Sequence, residues 1–238
     1  MNDVIIVIQA RMGSLRLPGK MMLPINGLPL FEFIIQRIIG LQKLGATIVL
    51  ATSNDPRNNP LVNIASRYNV DFFRGSEVDV FSRFIAIQSQ WPNKDYMVRI
   101  CGDNPFIDSI LVEELVHFIK SDIELDYVWN NVPRGQYQWP DGFGAECFRV
   151  RAILTAADYH LTLSNREHVT QIFYTDSHNF NSDSYQSTYE SLNVPKMDID
   201  TSEDYEAIIE LIEKHDFSIE TTALEIIQKF NENRDNSR

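Results

Sequence analysis

The run Val4-Ile5-Ile6-Val7-Ile8-Gln9-Ala10-Arg11-Met12-Gly13-Ser14-Leu15-Arg16-Leu17-Pro18-Gly19-Lys20 decides how this chain is read. Its first five residues are continuously apolar and β-branched, the pattern of a strand covered on both faces. A loop follows that carries Gly13, Gly19 and three cations, Arg11, Arg16 and Lys20. Glycines let backbone N–H groups come close to a ligand, Arg offers a planar fork, and Lys a movable point charge. Such a loop suits a polyphosphate, and the same residues would also make an ordinary exposed basic loop. It is not a P-loop, because GxxxxGK[ST] is absent and Lys20 is followed by Met21.

Working outward, Leu30 to Leu44 reads as an apolar helix stopped at Gly45, and Thr47 to Thr52 as a second buried strand. Leu61 to Tyr68 reads as a helix, Val70 to Phe73 as a short strand, and Val80 to Gln90 as a helix. Tyr96 to Cys101 is the next strand, Ser109 to Lys120 a helix, and Asp126 to Trp129 a further strand. This β-loop-α repetition predicts a three-layer α/β/α sandwich with a mainly parallel sheet, whose ligands bind beyond the carboxyl ends of the strands. From about 130 to 195 the pattern changes. Asn130 to Asp141 reads as a surface loop, Phe143 to Val150 as a strand, and Arg151 to His160 as a helix. Ser164 to Glu167 reads as a capping box and Asn179 to Ser191 as an excursion or edge hairpin. Helices over Ser202 to Lys214 and Ile219 to Phe230 close the fold, and Asn231 to Arg238 reads as a frayed tail. The expectation is one domain over 1–238 with a small acceptor-binding or dimerisation excursion.

The 238 residues carry a formal net charge of −12, with 44% hydrophobic residues. A chain so acidic repels nucleic acid over most of its surface, and an anionic small molecule needs a local cluster of cations or a metal ion. No apolar run approaches a membrane span and the start is not a signal peptide, so the expected location is cytoplasmic, with no membrane partner. Cys101 and Cys147 make no disulfide framework and read as a reduced, mostly buried pair.

Residues 8–20 also meet, position by position, the pattern [IP]-x-A-R-x-G-S-x-R-[LF]-P-x-K, and so resemble the N-terminal signature of the cytidylyltransferase family. That family includes CMP-sialic acid and CMP-Kdo synthetases, and the branch most resembled is the SpsF-type spore-coat-polysaccharide proteins. The likeness continues through Arg74-Gly75-Ser76, Asp79-Val80, Arg99 to Asp103, Pro140-Asp141-Gly142, Glu167 to Thr170 and Asp198 to Asp204. The resemblance implies a nucleotide-diphospho-sugar transferase-like fold, CTP as donor, a sugar-like acceptor, Mg²⁺ as cofactor and a homodimer. By the same likeness Ala10, Arg11, Gly13, Ser14, Arg16 and Lys20 hold the triphosphate, and Arg74 meets the base or ribose. Asp103 and Asp200 hold the metal, and Arg11, Lys20 and Asp103 are the catalytic set.

Each of these residues also has a plain structural role open to it. Asp103 could form a turn, Asp200 or Thr201 could cap the helix that follows, and Asp79 could cap the helix at Val80. Asp198 shares a strand face with Asp200 and is a weaker metal candidate. His168 reads as structural, and Trp91, Trp129 and Trp139 as packing. Arg134, Arg149 and Arg166 could meet an acidic acceptor, but no spacing rule selects one. Two other functions fit the same scaffold: a GT-A-like glycosyltransferase, with Asp198-Ile199-Asp200 as a formal DxD, and a non-catalytic nucleotide-binding protein.

Overall fold

The structure, a computed structural model, describes residues 1–130, 139–186 and 194–235, with side chains as far as Phe230. Parts of the expected loop (131–138), of the expected excursion (187–193) and of the expected tail (236–238) lie outside the described residues.

The elements follow in chain order. Strand β1 (Val4–Gln9) leads through the cationic loop to a short hairpin, β2 (Pro24–Ile25) and β3 (Leu28–Pro29), and then to α1 (Leu30–Ile38). Next come β4 (Thr47–Ser53), α2 (Asn59–Arg67), β5 (Asp71–Gly75), α3 (Val80–Gln90), β6 (Tyr96–Cys101) and α4 (Ser109–Ser121). Then follow β7 (Tyr127–Trp129), β8 (Ala145–Arg149), α5 (Val150–Ala157), α6 (Leu163–His168), α7 (Gln171–Thr175) and β9 (Ser182–Ser184). Helices α8 (Ser202–His215) and α9 (Ala223–Asp235) finish the chain.

The main sheet has seven strands in the order β5-β4-β1-β6-β8-β7-β9. β1 is parallel to β4 and β6, β4 to β5, and β7 to β9. Only β8 runs the other way, antiparallel to both β6 and β7. The mainly parallel α/β fold read from the sequence is therefore the observed one.

β1 explains the layering. Val4, Ile6 and Ile8 belong to one core cluster, packed with side chains from α1, α2, α4, α8 and α9. Ile5 and Val7 belong to the other, with α3, α5 and α7. All five are fully buried. Alternate Cβ atoms leave a strand on opposite faces, so a strand covered by two helical layers needs an unbroken apolar run. Each such burial is worth about 1.5–3 kcal/mol.

Local differences from the sequence reading have physical causes. The helix expected to reach Leu44 is α-helical only to Ile38 and continues as a 3-10 helix over Ile39–Leu44. Gly40 weakens that last stretch. The capping box sits two residues earlier than expected: Thr162 Oγ accepts from Asn165 N, and the Asn165 side chain accepts from Thr162 N. The last helix starts at Ala223, because Thr222 and Glu225 exchange side-chain-to-backbone bonds in the same reciprocal way. β9 pairs in parallel with β7 and is the edge of the sheet among the described residues. In the described part of 130–195, β8 and β9 join the main sheet, while α5 and α7 pack on its α3 side.

Candidate active site

The chain moves from β1 outward to β4 and β5, then returns to the other side of β1 with β6. Loops leaving β1 and β6 at their carboxyl ends therefore diverge and open a crevice between them. Gln9 is in register with Cys101 on β6 and with Ala51 on β4, so the two loops start level. They also touch: a Cβ on Gly102 would come within 3.0 Å of both the Ala10 Cβ and the Met21 Sδ. Only glycine allows that approach without displacing a neighbour.

The crevice is a cleft of about 370 Å³. At its mouth Lys20 Nζ lies 3.2 Å from Asp103 Oδ2 and 3.4 Å from Asp200 Oδ1, and it donates to the Ile199 carbonyl at 2.8 Å. Arg16 pairs with Asp200 at 2.8 Å. Arg11 pairs with Glu77 at 3.0 Å. The Asp200 segment is drawn onto the loop after β6 by the Ile199 N–H, which donates to the Asp103 carbonyl at 2.8 Å. Thr201 caps α8, and Asp204 closes the capping box by accepting from the Asp200 and Thr201 N–H groups. With capping left to Thr201 and Asp204, the Asp200 carboxylate turns to the cleft. Asp103 likewise faces Lys20, while the turn beside it is closed by Asn104 N donating to the Cys101 carbonyl.

A wall of the cleft is formed by Gln9, Arg83 and Arg99. Arg99 donates to Gln9 Oε1 at 3.0 Å and pairs with Glu146, which stands opposite it on β8. Glu146 also accepts from Tyr127 at 2.6 Å and from Thr170 at 2.8 Å. Glu167 and His168 line the cleft from the end of α6.

Of the residues expected from the sequence, Ala10, Arg11, Ser14, Arg16, Lys20, Asp103 and Asp200 all line this cleft. Gly13 borders an adjoining groove with Arg57 and Glu77. Arg74 is not brought to the cleft; its Nη2 donates to Asn59 at 2.6 Å. Asp79 caps α3 by accepting from Ser82 N and holds Arg166 at 2.6 Å. Arg149 is spent on four acceptors near the start of β6 and the end of α4, among them Tyr96 and the Leu125 carbonyl. Arg134 lies outside the described residues. Trp129 and Trp139 are buried. Arg83 and Arg99 were not singled out as site residues, although each is a charge inside an otherwise apolar period, which is the signal that could have found them.

Acidic groups crowd the Asp200 side. Burial, then the nearby Asp198 carboxylate, pushes Asp141 up to about 6; Lys196 opposes this, while Asp103 and Asp200 add to it. Burial also raises Asp198, although Lys196 lies 3.3 Å away. Among the described residues, no three His, Cys, Asp or Glu side chains form a cluster able to hold a metal ion alone. Both cysteines are free, and burial pushes Cys101 up to about 12, so its thiol stays protonated and is no nucleophile.

A seven-stranded mixed sheet with a polar cleft at its switch point is the architecture of nucleotide-diphospho-sugar transferases. A solved CMP:2-keto-3-deoxy-manno-octonic acid synthetase, complexed with CTP, shares the fold at a TM-score of 0.65 and 19% identity over 89% of this chain and 99% of that one. The chain belongs to the cytidylyltransferase family, whose sequence profile matches residues 5–235. It is 32% identical to the spore coat polysaccharide biosynthesis protein SpsF of Bacillus subtilis (strain 168), over 99% of this chain and 97% of that protein. It also superposes on a cytidylyltransferase from Leptospira borgpetersenii serovar Hardjo-bovis with a TM-score of 0.87, at 26% identity over 98% of this chain and 95% of the other. Among the described residues no helix is long and apolar enough to cross a membrane.

Proposed function

We propose that the chain transfers CMP from CTP to a sugar or sugar-acid acceptor, releasing pyrophosphate, in the synthesis of a surface polysaccharide or glycoconjugate. The observation that carries this reading is the meeting of Arg16, Lys20, Asp103 and Asp200 at the switch point of a cytidylyltransferase-family fold. Arg11, Arg16 and Lys20 bind the β- and γ-phosphates, and the N–H groups and hydroxyl of the Ala10–Ser14 stretch approach the rest of the nucleotide. Binding there neutralises charge and aligns the α-phosphorus with an acceptor oxygen, which is where a phosphoryl-transfer site earns most of its rate.

Asp103 and Asp200 would hold a divalent cation, Mg²⁺ by the chemistry of their oxygens. Their fit rests on Lys20, whose ammonium stands between the two carboxylates as a stand-in cation. A bound Mg²⁺ supplies charge neutralisation to phosphate oxygens. Lys20 would meet the leaving phosphates. Arg74, held by Asn59, would reach the nucleotide only by exchanging that partner. The proposal includes a cytoplasmic homodimer formed through the 130–195 region, where Leu154 and Leu163 are exposed apolar side chains.

Thermal stabilisation by the four nucleoside triphosphates, with and without Mg²⁺, tests the reading. CTP with Mg²⁺ at a hundredfold excess over Kd should raise Tm by roughly 5 °C or more. Asp103→Asn should lower pyrophosphate release by about 10²–10³-fold with little change in melting. No stabilisation by any triphosphate, or a wild-type rate in the Asp103 variant, would sink it.

A further inference from the structure

The phosphate loop does not account for Arg83. This residue, on α3, lines the cleft and is 1% exposed. A guanidinium has five N–H donors and no acceptor. Among the described residues Arg83 uses one of them, with Nη1 donating to the Ala51 carbonyl at 3.1 Å. Its Nε has no partner, and no described carboxylate lies within ion-pair distance of it. Arg37 is the control: it too is buried without an ion pair, but it donates to the carbonyls of Ile107, Ile219 and Thr221 at 2.7, 2.9 and 2.9 Å. A buried charge left this short of acceptors is costly unless a ligand completes it. Burial, with Arg11 and Arg99 close by, pulls the Arg83 guanidinium down to about 10, so it remains a cation near neutrality.

The seat of Arg83 is shaped for it. A Cβ on Gly75, at the end of β5, would come within 2.8 Å of the Arg83 Cγ. The position within the crevice is equally defined. The Ala51 carbonyl that holds Arg83 also accepts from Ala10 N at 3.3 Å, placing the guanidinium at the β1/β4 side. Asp103 follows β6, on the far side of β1. Two strand spacings, roughly 10 Å, separate these poles. A nucleotide whose phosphates lie at the Asp103 pole would cross that span through its ribose and bring its base to Arg83.

We propose that Arg83 reads the base and selects cytosine over uracil, an inference that rests on the nucleotidyltransferase reading above. Cytosine presents O2 and N3 side by side as acceptors. Uracil carries a hydrogen on N3, so against a group with no acceptor it would set donor against donor. A guanidinium therefore discriminates the two pyrimidines and meets O2 and N3 together, whereas an ammonium, also without an acceptor, loses that paired contact, and only an amide brings an acceptor that uracil N3–H can use.

The test is calorimetric binding of CTP, UTP and GTP, with Mg²⁺, to the wild type, Arg83→Lys and Arg83→Gln, alongside thermal melts of all three. GTP is included because guanine also has an all-acceptor edge. The wild type should prefer CTP to UTP by roughly 10–100-fold; Arg83→Gln should bring that ratio near one by losing CTP affinity, and Arg83→Lys should lower it through loss of the paired contact. Should the variants fail to fold, the wild type alone decides through the triphosphate of 3-deazacytidine, in which N3 is replaced by C–H. That analogue should bind about as weakly as UTP. Equal binding of CTP and the analogue, a full preference kept by Arg83→Gln, parallel losses of CTP and UTP, or GTP binding as tight as CTP would each overturn the assignment. Triphosphate binding without base preference removes Arg83's role alone, while no binding of any triphosphate removes the nucleotidyltransferase reading itself.

Discussion

Arg16 and Arg99 are both guanidiniums paired with a carboxylate in one cleft, yet they are held in opposite ways. Arg16 is 66% exposed and reaches Asp200, a group itself proposed to bind a cation. Arg99 is 11% exposed and its partner Glu146 4%, and Tyr127, Thr170 and Gln9 are bonded into the same network. The Arg16 pair can change partners, because water can replace what it loses. The pair on the wall cannot, because nothing in a low-dielectric interior replaces a lost partner. Similar ion pairs thus make an exchangeable latch in one place and fixed structure in the other.

The largest expected effect breaks the fixed side. Arg99→Met breaks the buried pair with Glu146 and should cost stability, up to about 3–5 kcal/mol, read as a fall in Tm or in denaturant midpoint. Adding Glu146→Gln should recover part of that loss; a single variant as stable as the wild type would mean the pair is not structural. A smaller effect is expected beside the mouth. Asp141, raised to about 6 in the fold from an ordinary 3.8, keeps its proton in the folded state to higher pH than in the unfolded chain. Its contribution therefore favours folding below about pH 4 and is lost as pH rises through about 6. Asp141→Asn should stabilise the protein at pH 8 by roughly 1 kcal/mol, after discounting for its partial exposure, and not at pH 4. Melts at the two pH values check this, and an equal shift at both would remove electrostatics as the cause. The smallest effect belongs to the exposed latch. Arg16→Ala should move stability by no more than about 0.5 kcal/mol, while weakening triphosphate binding. A large loss of stability there would erase the contrast with Arg99.

Much of the first 121 residues was legible because each element there obeys one strong rule. β1 is an unbroken β-branched run, and α3 and β6 begin and end where the apolar periods of Val80–Gln90 and Tyr96–Cys101 do. The mouth of the cleft was legible for a different reason: Arg11, Arg16 and Lys20 lie close in sequence, so their chemistry shows as a cluster. The wall was not. Gln9, Arg83, Arg99 and Glu146 are far apart in the chain, and a single charge in an apolar period reads as noise until a neighbouring strand supplies its partner. β9 was equally hidden, since three polar residues become a strand only where the edge of β7 is available to pair.

What the sequence by itself determined is therefore local. It set the alternation of strands and helices, the covered strand β1, the cationic loop and the family, all of which follow from runs of adjacent residues. Tertiary structure decided which loops meet and which charges are shared. It placed Asp200 against Asp103 and brought both to Lys20, which is 180 residues from Asp200 in the chain, left capping of α8 to Thr201 and Asp204, turned Arg74 away to Asn59, and buried Arg83 with one acceptor. Those outcomes depend on the order of strands in the sheet and on which groups lose water, and burial is a property of the packed whole that no stretch of sequence carries alone.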